Sequence, residues 1–294
     1  MTLIGIHTIY KSEEGKREIL NHYEAYLLLT EIQFERIYVE TRFGKTHVLV
    51  TGPTEGKPLF ILQGGNCINP MTLTWFTPLL KEYRVYAPDT VGHPGYSAET
   101  RVSAKDESFG SWISDLMDHF NIPKCACIGP SYGGGIILRL AAFMPQKINC
   151  SVLMSPSGLS LGSTIDMIQK ILIPMLLFNW NASPNQLQKI ADVMSLKSMK
   201  EIDKEIIGGI FKHVKLEQNM PKLTEKKELV NYSAPTLVLA GTQDIFFPSD
   251  KVIKKAAQII SNATMITYEM GHFPAEERLL KVNKDIQAFL AVNY

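Results

Sequence analysis

Apolar positions recur along this chain with two different periods, and the switches between them map its organisation. Over residues 13–30, Ile19, Leu20, Tyr23, Tyr26 and Leu27 fall at helical spacing with charges between them, which predicts an amphipathic helix packed on the rest of the chain. From Arg36 the period drops to two: Ile37, Val39 and Thr41 alternate, Phe43-Gly44-Lys45 marks a turn, and Val48 to Val50 resume, the pattern of an antiparallel hairpin. After Gly52-Pro53, apolar runs alternate with helical stretches. Strands are predicted over 58–63, 84–88, 124–129 and 150–154, with helices over 73–83, 109–120 and 131–144 between them. The same beat returns as strand 236–240, helix 250–260, strand 264–268 and a last helix over 275–292. Strands alternating with helices predict a mainly parallel sheet covered on both faces.

The beat is interrupted over residues 160–233, which hold no buried strand and only helical patterns rich in Met, Leu and Ile, such as 165–177 and 186–194. A helical insertion of this size predicts a cap over the carboxyl edge of the sheet. The expected division is therefore a helical extension over 1–34, an α/β core made of 35–159 and 234–294, and a cap over 160–233.

Composition narrows the function classes. The 294 residues are 45% hydrophobic and 20% charged, ordinary globular values with enough apolar material for a large core. Thirty basic against twenty-nine acidic residues leave a net charge of +1, so nothing long-range draws this surface to nucleic acid or to an anionic membrane. The first ten residues carry no Lys or Arg and are followed by Glu13 and Glu14, unlike a secretory signal. The strongest apolar run, 171–178, is interrupted by Pro174 and far short of the roughly 20 residues of a membrane span, so a soluble, cytoplasmic protein is expected. Four cysteines make no disulfide scaffold, and Cys125-x-Cys127 lacks the spacing and the second pair of a zinc site. They read as core residues on one face of a strand.

The chemistry concentrates at Gly129-Pro130-Ser131-Tyr132-Gly133, a G-x-S-x-G motif between a predicted strand and a predicted helix. A nucleophile on so sharp a turn needs glycines at its flanks because side chains there would collide. No Lys-Ser or Lys-Thr pair follows, which excludes a phosphate-binding loop. A serine hydroxyl needs a base and a group that orients the base. His272 follows the last predicted strand and Asp244 the one before it, both on the carboxyl edge where parallel-sheet sites lie. Gln63-Gly64-Gly65-Asn66 follows another strand, and its glycines let a backbone N–H, that of Gly65, face a developing oxyanion, with the Tyr132 N–H as the second donor.

These residues, together with Asp89-Thr90-Val91-Gly92-His93-Pro94-Gly95-Tyr96-Ser97 and the strand 234–244 that ends in Asp244, resemble the α/β-hydrolase fold family over residues 38–289. The resemblance implies a mainly parallel eight-stranded sheet flanked by helices with an inserted helical cap, Ser131 as nucleophile, Asp244 as acid, His272 as base, Gly65 and Tyr132 as oxyanion donors, and no cofactor or metal. The chain departs from the family in having Gln63 where His usually precedes the glycine. Serine rather than Asp at the elbow argues against the dehalogenase and epoxide-hydrolase branches, which need a carboxylate. The expected function is a carboxylesterase-like serine hydrolase acting on a small to medium apolar acyl substrate, as monomer or homodimer. A thioesterase, lactonase or carbon–carbon hydrolase would use the same triad, and a hydrolase-like receptor or regulatory protein with little turnover is the reading from another class. Met167, Ile171, Met175 and Phe178 are the expected pocket residues, His93 either touches substrate or holds its own loop, and Cys67 lies beside the oxyanion loop.

Overall fold

In a computed structural model that describes residues 8–294, the alternating pattern closes into one eight-stranded sheet of order β1-β2-β4-β3-β5-β6-β7-β8, with β1 at Glu35–Thr41, β2 at Gly44–Thr51, β3 at Pro58–Ile61, β4 at Arg84–Pro88, β5 at Cys125–Pro130, β6 at Ile148–Met154, β7 at Thr236–Gly241 and β8 at Ala263–Tyr268. β2 runs antiparallel to both β1 and β4, and β3 to β8 are joined by parallel pairs. Residues 1–7, on which part of the reading against a secretory signal rests, lie outside the described residues.

The helices are α1 (Glu13–Leu29), α2 (Asn69–Leu73), α3 (Leu79–Glu82), α4 (Ser108–His119), α5 (Tyr132–Phe143), α6 (Thr164–Met167), α7 (Ile173–Asn181), α8 (Pro184–Ser195), α9 (Glu201–His213), α10 (Ser249–Ile259) and α11 (Glu276–Asn293). None of them is long and apolar enough to cross a membrane. Every residue of β5 is buried, as expected of a central parallel strand covered on both faces. Alternation along the strands splits the core: Leu59 and Ile61 of β3 pack on the side of α1 and α11, while Phe60 and Leu62 pack on the side of α4, α5 and α10. Cys125 and Cys127 both point to the second side and are fully buried.

Two stretches differ from the sequence expectation. The helix expected over 73–83 is broken into α2, a 3₁₀ turn at Thr74–Phe76 and α3. Pro78 has no N–H to carry the helical ladder through this stretch, and Pro70 sits in the first turn of α2, where proline is tolerated. In the insertion, the helix expected over 165–177 contains a π-helical turn at Ile168–Leu172 between α6 and α7. Pro174 lies just beyond it, and a widened turn accommodates the ring and the missing donor.

The insertion also holds α9, in which Ile202, Ile206, Ile207 and Ile210 keep helical spacing around Gly208-Gly209. Those glycines are where neighbours come closest: a Cβ on Gly208 would stand 2.8 Å from Leu187, and one on Gly209 3.4 Å from Ile19 of α1. The amino-terminal helix is thus more than an added piece. Its Tyr23 hydroxyl donates to Asp89 at 2.8 Å, and Tyr26 donates to Asp203 of α9 at 2.7 Å, so one helix ties the sheet edge to the insertion. Asp89 is fully buried, and also accepts from Asn69 and from the Tyr96 N–H while lying 3.0 Å from His47 Nδ1. A buried carboxylate with this many partners offsets its desolvation and fixes the loop after β4.

Candidate active site

β5 ends in Gly129-Pro130 and α5 begins at Tyr132, leaving Ser131 alone to turn the chain, with φ 52° and ψ −117°. A non-glycine residue in this region stores roughly 1–3 kcal/mol of strain, tolerated only where neighbours fix it. They do here: the Ser131 N–H donates to the Met154 carbonyl at 2.9 Å, and its own carbonyl accepts from the N–H groups of Gly135 and Ser157. The flanking glycines are required sterically, since a Cβ on Gly129 would lie 2.4 Å from the Gly133 backbone and one on Gly133 2.5 Å from the Leu62 carbonyl oxygen.

His272 follows β8 and Asp244 follows β7, and they meet at 2.8 Å between Nδ1 and Oδ2. The other oxygen, Oδ1, accepts from the N–H groups of Phe246 and Phe247 at 2.8 and 3.1 Å. Burial pushes the Asp244 carboxyl up, but the His272 imidazole beside it and the Phe247 N–H outweigh burial and hold it below the usual aspartate range. It therefore stays ionised and orients the ring. The rings of Phe246, Phe247 and Phe273 surround His272 at centroid distances of 4.8, 5.6 and 5.9 Å, and the Phe273 N–H donates to the Met194 carbonyl at the end of α8, pinning the histidine loop to the insertion.

The loop after β3 closes the third side. Gly64 N–H donates to Thr72 and Asn66 N–H to His93 Nδ1, while the Gly65 N–H between them has no acceptor among the described residues. The Tyr132 N–H begins α5, where no intrahelical acceptor exists. A Cβ on Gly65 would lie 2.9 Å from Tyr132 Cβ, so loop and elbow are in tight contact. Gln63, fully buried, holds the loop in place of the usual histidine: its Nε2 donates to the carbonyls of Cys67 and Pro94, and its Oε1 accepts the Thr90 N–H at 2.8 Å. Cys67 lines the same space and its thiol donates to the Gly64 carbonyl at 3.2 Å; burial pushes that thiol up to about 12, so it is not a thiolate.

Ser131, His272, Gly65 and Tyr132 line one cavity of about 390 Å³, walled otherwise almost wholly by apolar side chains. Met167, Ile171 and Met175 are on its wall. Phe178 is not. It lies one turn beyond Met175, past the end of the cavity, where it is buried against Phe211 and fills the gap over Gly208. Sequence reasoning missed Trp75, Phe211, Leu216, Met220 and Phe246 on the same wall. Phe246 lies two residues after Asp244 and was findable by adjacency; Leu216 and Met220 lie in a stretch with no periodicity to read.

His93 gives folding stability a pH signature. Burial first, and Arg101 second, lower its pKa to about 3, whereas in an unfolded chain histidine titrates at about 6.5. Between those values the unfolded chain takes up a proton that the folded chain refuses, so stability falls as pH drops from about 6.5 toward 3. The urea midpoint is expected to fall more steeply from pH 7 to 4.5 in the wild type than in His93→Gln, which has nothing to protonate. Parallel slopes would mean that the folded chain accommodates the imidazolium.

Comparison with known proteins agrees with this topology. The family model described as the α/β hydrolase fold matches residues 57–191. Two curated relatives from Bacillus subtilis (strain 168) align over nearly their whole length: "Uncharacterized carboxylesterase nap", 23% identical over 92% of both chains, and "Carboxylesterase YbfK", 24% identical over 92% of this chain and 94% of the relative. Among solved structures, that of naproxen esterase (carboxylesterase NP) from Bacillus subtilis superposes with a TM-score of 0.82 at 21% identity, covering 95% of this chain and 99% of the other. Sheet order, elbow and these likenesses together make this chain an α/β-hydrolase-fold protein.

Proposed function

We propose that the protein is a serine carboxylic-ester hydrolase for apolar acyl substrates, with Ser131 as nucleophile, His272 as general base, Asp244 as its orienting acid and the Gly65 and Tyr132 N–H groups as oxyanion donors. The observation that carries this reading is the convergence of a strained serine, an imidazole oriented by a buried carboxylate and two N–H groups without acceptors among the described residues on one apolar cavity. Ser131 Oγ attacks the ester carbonyl and passes its proton to His272 Nε2. The carbonyl oxygen becomes the oxyanion facing Gly65 and Tyr132; its collapse expels the alcohol, protonated by His272. Water, deprotonated by the same imidazole, then releases the acid and restores Ser131. Full-length curated relatives named carboxylesterases support the reaction class. Residues 160–233 act in this reading as a cap whose α6–α7 segment supplies the acyl wall through Met167, Ile171 and Met175.

The test is steady-state turnover on p-nitrophenyl esters. Lengthening the acyl group from two carbons is expected to raise kcat/KM by roughly 3-fold or more per added CH2, from about 0.8 kcal/mol each, until the cavity is full. Charged acyl groups are expected to be rejected. Turnover continuing above about 1 s⁻¹ identifies an enzyme. One equivalent of product followed by a stall across the whole panel would instead identify a receptor-like protein trapped at the acyl-enzyme.

A further inference from the structure

The chain after α9 carries no regular structure, yet it is held on the oxyanion loop by side-chain and backbone bonds from both sides. The Asn66 amide makes a reciprocal pair with the backbone of Glu217: Nδ2 donates to the Glu217 carbonyl at 3.1 Å, and the Glu217 N–H donates to Oδ1 at 2.7 Å. The two residues are 151 positions apart, and the pair imitates the exchange between two antiparallel strand residues. Asn66 is in the left-handed region at φ 50°, a conformation asparagine tolerates better than most side chains. Its own N–H donates to His93 Nδ1 at 3.2 Å, which leaves that nitrogen as acceptor, and the His93 ring packs on the Tyr132 ring at 4.7 Å. Two residues past Glu217, the Asn219 carbonyl accepts from the Tyr132 hydroxyl at 3.2 Å.

The Glu217 side chain is itself buried, 5% exposed, between Arg101 Nη1 at 2.8 Å and the Asn219 N–H at 2.7 Å. At its other end the segment is anchored by the amino-terminal residues: Val214 bridges Tyr10, and the Lys215 N–H donates to the Ile9 carbonyl. Leu216 and Met220 on either side of Glu217 line the catalytic cavity.

We propose that Asn66, Glu217 and His93 are positioning residues of the oxyanion hole: the Asn66–Glu217 clasp fixes residues 214–220 on the loop after β3, and with His93 it sets where the Gly65 and Tyr132 N–H groups stand. This rests on the serine-hydrolase reading above. Gly65 is the neighbour of Asn66, and Tyr132 touches His93, Gly65 and Asn219, so each donor has the clasp within one residue or one contact. Donors work only when they lie about 2.7–3.1 Å from the oxyanion, and a misplacement on the order of 1 Å costs up to about 100-fold.

Two variants of Asn66 grade the clasp. Asn66→Asp keeps the size and the acceptor for the Glu217 N–H but turns the donor into an oxygen facing the Glu217 carbonyl. Asn66→Gly keeps the left-handed backbone and removes both bonds. On p-nitrophenyl butyrate, kcat is expected to fall about 5-fold in the first and about 10- to 100-fold in the second, with KM within about 2-fold of the wild type. A trifluoromethyl ketone of the same acyl length adds Ser131 Oγ to its carbonyl, giving His272 the proton and leaving an oxyanion; its affinity is expected to weaken in step with kcat/KM. His93→Gln, which retains an acceptor, is expected to keep more kcat than His93→Leu. If Asn66→Gly does not fold, Asn66→Asp decides. Wild-type kcat in the folded Asn66 variants, whatever their Tm, overturns the clasp while leaving the active-site reading intact, provided Ser131→Ala is inactive. Full activity in Ser131→Ala would overturn that reading itself.

Discussion

Replacing Ser131 by Ala is expected to lower kcat on an activated ester by at least about 10⁴-fold, and His272→Ala and the double variant by similar factors. The reason is that nucleophile and base act as one unit: once the serine is gone, the imidazole has no proton to take, and removing it as well costs little more. The geometry supports such coupling, because both side chains reach one apolar cavity, and His272, 8% exposed, is held among three phenylalanine rings with its Nδ1 fixed by Asp244. Residual activity from the oxyanion donors and substrate binding sets the common floor. Steady-state rates of the three variants, with fluorophosphonate labelling of Ser131 as a second readout, measure this. A double variant far slower than either single variant would show that the two residues act independently.

Asp244→Asn is expected to lower kcat by about 10³- to 10⁴-fold while leaving the fold intact. The substitution is nearly isosteric, but the surroundings dictate how the amide stands. Phe246 and Phe247 present two N–H groups to the position of Oδ1, so the amide oxygen stays there and the NH2 faces His272 Nδ1. That nitrogen must then accept, the ring proton moves to Nε2, and no lone pair is left toward Ser131. Asp244→Ala removes the orientation without imposing the wrong tautomer, so it is expected to retain more activity than Asp244→Asn. Comparison of the two kcat values at fixed pH decides. Equal values would indicate that the carboxylate's charge, rather than the ring's tautomer, is what the site needs.

The two periods of apolar spacing were enough to determine most elements to within a residue or two, because strands such as β5 and β7 are buried on both faces and read as apolar runs without competing signals. The elbow was legible for a local reason as well: strain at Ser131 demands glycine on both flanks, and that demand is written in adjacent positions. The positions of Ser131, Asp244 and His272 just after β5, β7 and β8 then put them on one sheet edge, since parallel strands end on the same side.

What only the tertiary structure decided is everything that depends on phase and on distant partners. Phe178 shared helical spacing with Met175 and Ile171, but spacing says which face a side chain takes and not where along the axis the cavity ends. The break after Leu73 had a local cause in Pro78, whereas Gly208-Gly209 of α9, unfavourable in a helix on their own, are explained only by the close approach of Leu187 and Ile19. The segment 214–220 had no period at all. Its conformation is held by hydrogen bonds to Ile9, Asn66, Arg101 and Tyr132, none nearer than 87 positions in the chain, and bonds of that separation leave no trace in local propensity. Strands, helices and the sharp turn at Ser131 were fixed by neighbours in sequence; the enclosure of Ser131 was fixed by neighbours in space.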